Sequence, residues 1–154
     1  QAATSDRSQL AAYLNLLENP DEHIILRETL SKEPLAPAVI NSDTQWVEIV
    51  RWIVFALIEA EELGINQNNL EQKKASTDPK IIRFLGLEGT ADSIGSRLGL
   101  EPDYTQRIIR HVGNYGEIYE RNLGPNSLTP IERGLNNLWN NTEEPGLIYS
   151  PPFR

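Results

Sequence analysis

Apolar residues recur at helical spacing over one stretch more strongly than anywhere else in the chain. Trp46, Ile49, Val50, Ile53, Val54, Leu57 and Ile58 fall at i, i+3, i+4, i+7, i+8, i+11 and i+12, and Trp52, Phe55 and Ala56 widen the stripe. The spacing predicts a helix buried on most sides. Ser42-Asp43-Thr44-Gln45 has the form of a capping box in front of it, and Gly64 stands where a C-terminal glycine belongs. Upstream, Ser5 or Asp6 can cap a helix reaching about Leu17, with Leu10, Tyr13, Leu14 and Leu17 on one face. Asn19-Pro20-Asp21 breaks it. Residues 23–27, centred on Ile24-Ile25-Leu26, read as a short strand, and 30–40, interrupted by Pro34 and Pro37, as extended chain.

Shorter helices are expected downstream: a polar one at 66–74, one from Asp78-Pro79 to Leu85 before Gly86, and a pair at 90–98 and 102–112 separated by Gly99. A turn or two follows at 115–122, then a last helix opened by Thr129-Pro130 and running through Trp139. The tail, 146–154, carries Pro151-Pro152 and reads as extended. The expectation is therefore a mostly α-helical chain with one or two strands. Two strands cannot bury a core-forming helix unaided, so the pattern suggests part of a larger α/β protein.

Charge narrows the partners. Fourteen basic residues against twenty-two acidic ones leave a net charge of -8 over 154 residues, which disfavours polyanionic partners such as nucleic acid. No cysteine is present, so disulfides, thiolate chemistry and cysteine-ligated metal are out of reach. The chain opens on Gln1 and has no methionine, as expected of one processed or taken from something longer. The longest nearly unbroken apolar run is 52–58, far short of the about twenty residues that span a bilayer as a helix.

Candidate chemistry is sparse. His23 and His111 lie far apart without metal-like partners, and no nucleophile elbow or P-loop occurs, so neither a cofactor nor an enzyme is expected. Glu59, Glu61 and Glu62 cluster near the end of the long helix, where the plainer expectation is a solvated face. One alternative is specific. TADSIGSRLGLEPDYTQRIIR at 90–110 has helix-turn-helix spacing, and Gln106, Arg107 and Arg110 on its second helix could meet bases or phosphates. Against a DNA-binding module at 90–112, residues 97–121 hold four arginines and four acids, for no net local charge. A third possibility is a ligand-free structural or dimerisation domain.

Several segments, taken together, resemble the general L-amino-acid-binding proteins of bacterial ABC importers, of the type II periplasmic-binding fold. They are TSDRS at 4–8, IILRETLSKEPL at 24–35, DTQW at 43–46 and the long helix through Gly64. VGNYGEIYERN at 112–122, IERGLN at 131–136, Leu138-Trp139 and GLIYSPPFR at 146–154 complete the set, in order along nearly the whole chain. Where the family often has Gly-Asp-Asp-Gln-Trp, this chain has Ser42-Asp43-Thr44-Gln45-Trp46.

The resemblance implies an α/β protein of two lobes that closes on an amino acid without catalysis, in the periplasm, and delivers it to a membrane permease. It implies that this chain is the C-terminal portion. Residues 1–22 would then end the second lobe, 23–40 would be the hinge crossing and an extended segment, and 41–154 a helical part packed on the first lobe. It implies one ligand contact here, Asp6, as partner of the ligand's α-ammonium, since a buried charge needs an opposite one. Asp6 can serve as a helix N-cap at the same time. Separated from the rest, such a portion is expected to bind poorly or to self-associate.

Overall fold

A computed structural model describes residues 2–88 and 93–153. Its elements are α1 (Arg7–Leu14), α2 (Thr44–Glu62), α3 (Leu70–Lys73), α4 (Pro79–Phe84), α5 (Ile94–Arg97), α6 (Tyr104–Val112) and α7 (Tyr115–Leu123). Single 3-10 turns occur at Pro20–Glu22 and Gly134–Asn136. Two compact units divide the chain. The smaller comprises Gln1–Pro37 and Tyr119–Arg133, and the larger Ala38–Ile118 and Gly134–Arg154.

The larger unit is built around α2. Asp43, not Ser42, is its N-cap: the carboxylate accepts from Trp46 N at 2.9 Å. The expected box is thus shifted by one residue, and Gln45 reaches the Leu98 carbonyl at 3.3 Å instead. Gly64, at φ 62, ends the helix as expected. Ala56 and Ala60 are fully buried and let α2 approach its neighbours closely. Around them pack Ile65, Leu70, Phe84, Leu85, Leu98, Tyr104 and Ile109. Only Ala56, Ile58 and Ala60 of α2 are buried, so the expectation of burial on most sides is not met. Trp46 is 48% exposed, and Val50, Ile53 and Val54 are half-buried and lie outside the core cluster.

The last expected helix does not form. Residues 134–139 give their carbonyls to the tail rather than to an internal ladder: Leu147 N donates to Leu135 O, Ile148 N to Asn137 O, and Gly146 N to Leu138 O, at 2.9–3.1 Å. Leu138 and Ile148 make an isolated parallel bridge, and no other strand pairing occurs among the described residues. Gly146 is required, because a Cβ there would lie 2.1 Å from Asn137 O. Phe153 then enters the core edge-on to Trp52 and Phe84, with both ring centroids 5.2 Å away.

In the smaller unit α1 ends at Leu14, short of the expected Leu17, and buries only Ala11. Residues 23–27 form no strand: among the described residues no second strand pairs with them, and the Leu26 and Arg27 carbonyls accept from a side chain instead. Asn15 Nδ2 donates to Leu128 O at 2.8 Å, and Tyr119 Oη to Glu132 O at 3.3 Å. Ile24, Leu30 and Leu128 are at least 80% exposed.

Candidate functional site

Asp6, the ligand contact expected from sequence, stands at the N-cap position of α1 with extended backbone (φ −57, ψ 141). Its side chain is exposed and makes no capping hydrogen bond, so of its two expected roles the side-chain cap is not realised. The next residue, Arg7, opens the helix and reaches across to 23–27. Its Nη2 donates to Leu26 O at 3.2 Å and Arg27 O at 3.3 Å. Arg27 in turn lies 3.4 Å from Glu132 through two well-exposed side chains, an ion pair worth little.

The acidic cluster is not the solvated face expected of it. Glu62 accepts Ser150 N at 2.8 Å and Trp139 Nε1 at 3.4 Å, holding the tail to α2. Glu61 lies against α7, where a Cβ on Gly116 would come within 2.7 Å of its carboxylate. Burial, and then the charge of Glu62, push the Glu59 carboxyl above its ordinary range, against smaller opposing effects of Ser150 and Lys80. Glu59 and Glu62 share a cleft of about 480 Å³ with Lys80, Arg83, Trp139 and Phe153.

His23 and His111 are both exposed, and His23 Nδ1 lies 2.9 Å from Asn19 O. Among the described residues no three histidines or carboxylates gather as metal ligands.

The helix-turn-helix alternative meets a geometric obstacle. Of its first helix, 90–92 lie outside the described residues, and the remainder is the single turn α5. Gln106, offered as a base reader, is buried and donates to the Leu85 carbonyl. Arg107 is taken by Asp103 at 2.9 Å and Arg110 by Glu71 at 2.9 Å. The three side chains offered for recognition are thus each engaged within the described residues.

Two clusters escaped the sequence reading. Thr105 and Gln106 donate to the Phe84 and Leu85 carbonyls, satisfying the end of α4 with side chains from α6. Asn114 and Glu117 bond each other's backbone, and Asn114 Nδ2 also donates to Ile65 O at 2.8 Å. The second was visible as Asn-x-x-Glu before an apolar pair, a capping-box spacing.

No protein-family model matches the chain. It is 53% identical, over 98% of its length, to the general L-amino acid-binding periplasmic protein AapJ of Rhizobium johnstonii. The chain is homologous to amino-acid-binding periplasmic proteins of ABC transporters. A second such protein, the glutamate/glutamine/aspartate/asparagine-binding protein BztA of Rhodobacter capsulatus, is 46% identical over 98% of the chain. Among solved structures, an ABC transporter periplasmic binding protein from Brucella ovis with glutathione bound superposes at a TM-score of 0.85, with 48% identity over 97% of the chain. The chain spans 43% of the length of AapJ and BztA and 46% of the Brucella protein. That share accords with the reading of the chain as a portion of a type II periplasmic-binding fold, and a mostly helical portion fits it.

Proposed function

We propose that this chain is the C-terminal portion of a solute-binding protein that captures L-amino acids in the periplasm and hands them to the membrane permease of an ABC importer, without catalysis. The observation that carries this reading is similarity along almost the whole chain to proteins named for amino-acid binding. In this reading 1–22 end the second lobe, 23–40 cross between lobes, and 41–154 pack on the first. The exposed Trp46 and the half-buried Val50 and Ile53 of α2 supply an apolar face for that packing. Separated from the remainder, the chain covers such surface by self-association.

Asp6 takes the ligand's α-ammonium. Its carboxylate is exposed and free of a capping bond, as a group kept for a ligand would be. Glutathione, bound by the Brucella protein, carries the same free α-ammonium and α-carboxylate on its glutamyl end, so one aspartate would suit either ligand.

Calorimetric titration of the intact protein with the standard L-amino acids and glutathione tests this. Binding is expected, and Asp6→Ala should weaken it by about a hundredfold, the cost of leaving an ammonium unpaired. No heat from any of these ligands would remove the reading, and unchanged affinity in the variant would remove Asp6 from it. For the chain alone, concentration-dependent gel-filtration elution and apolar dye binding are expected; a monomer that leaves the dye dark would count against self-association.

A further inference from the structure

We infer that Arg7 is the positioning residue for the Asp6 carboxylate, and that it does so by clamping the start of α1 to the backbone at Leu26 and Arg27. The inference rests on the reading of Asp6 proposed above. Arg7 carries the guanidinium nearest to Asp6 in sequence, and an aspartate paired with it would be a poor receptor for a ligand's ammonium. Here the guanidinium is turned the other way. Arg7 Nη2 donates to two successive carbonyls nineteen and twenty residues along, and Asp6 and Arg7 form no ion pair among the described residues.

Two things follow from that one placement. The Asp6 side chain is left without its nearest competitor. The backbone that carries it is also tied to 23–27, which has no sheet partner of its own to hold it. Asp6 makes no capping bond, so its own helix does not fix its direction, and the Arg7 clamp is what restrains this first turn from outside. A contact group restrained before the ligand arrives loses less conformational freedom on binding, and that difference appears as affinity. If 23–27 belong to the crossing between lobes, the same clamp makes the ammonium-binding group and the crossing move as one body.

The test compares wild type, Asp6→Ala, Arg7→Ala and Arg7→Lys in the intact protein, using the standard L-amino acid that wild type binds most tightly. Arg7→Ala is expected to weaken binding about tenfold, as two exposed charge-assisted hydrogen bonds allow, mostly through faster dissociation. The ligand-free melting temperature should stay close to wild type, and Arg7→Lys should recover part of the affinity by donating to one carbonyl. Ligand-induced compaction, read from small-angle scattering, should shrink in Arg7→Ala. Wild-type affinity in Arg7→Ala would overturn the inference, as would an affinity loss matched by a drop in ligand-free stability. The two ideas separate cleanly. If Asp6→Ala binds like wild type, the reading of Asp6 fails and takes this inference with it; if only Arg7→Ala does, this inference alone fails.

Discussion

Asn114 and Glu117 cap each other: Glu117 Oε2 accepts from Asn114 N at 2.9 Å, and Asn114 Oδ1 accepts from Glu117 N at 2.8 Å. The pair opens α7 and is also wired to the loop after α2. Gln67 N donates to Glu117 at 3.2 Å, and Asn114 Nδ2 to Ile65 O. Asn114 is buried, so its removal leaves Ile65 O and Glu117 N short of a partner away from solvent.

Asn114→Ala should therefore cost about 2–3 kcal/mol, more than an ordinary cap, and Glu117→Ala about 1–2 kcal/mol. Urea titration of the single and double variants would check this. Each side chain accepts from the other residue's backbone N–H, so the singles break different bonds. The double variant should still lose less than the sum, because losing either bond loosens the backbone that the other side chain meets. Strict additivity would mean that the two residues act independently.

Gly86 and Gly134 both have positive φ, at 65 and 47, yet they should respond differently to alanine. A Cβ on Gly86 would sit 2.0 Å from Pro102 O, a backbone atom that cannot step aside, whereas nothing lies within 4 Å of one on Gly134. Gly134→Ala should cost about 1 kcal/mol from backbone strain alone, and Gly86→Ala several times that. Equal losses in thermal melts would refute the steric part of the argument.

Phe153→Ala should destabilise the larger unit by about 3–4 kcal/mol, since the ring is buried edge-on between two other aromatics. Limited proteolysis should then cut the tail near Tyr149 faster than in wild type. Resistance equal to wild type would show that the backbone bonds at 146–150 hold the tail without the ring.

Glu59 gives the chain a pH signature. The folded state raises this carboxyl's pKa, first by burial and then through Glu62, so it holds the proton more tightly than the unfolded chain. The stabilisation from the protonated form is full below the ordinary carboxylate range and is lost as pH rises through the folded value. Glu59→Gln should thus be more stable than wild type at neutral pH, with the gap closing toward acid. Glu71 shifts the other way, held down by Lys74 and Arg110, but it does so in both proteins and cancels from the difference. A gap that widened on acidification would reverse the assignment.

The sequence conveyed what local chemistry controls. The Gly64 and Gly86 stops and the Asp78-Pro79 start of α4 stand where expected, because a positive φ or a fixed proline leaves few choices. What it could not convey depended on distant partners. The 129–139 segment has a helical look, yet its carbonyls go to a tail about ten residues further on, which no local pattern discloses. Likewise the apolar stripe of α2 announces burial without saying how much of it is met within these residues, and Trp46, Val50, Ile53 and Val54 stay outside the core cluster. At the candidate site, the ligand role proposed for Asp6 rests on the TSDRS resemblance, with no local pattern pointing to it. The Arg7 clamp was not legible, since it joins residues with no periodic relation.

The seating of Phe153 also sets an order of assembly. A ribosome delivers residue 153 after both of its ring partners, so Trp52 and Phe84 keep a face open from the time they emerge until Phe153 follows them. During that interval the two rings are apolar surface that chaperones and proteases can meet, and the arrival of one side chain closes it.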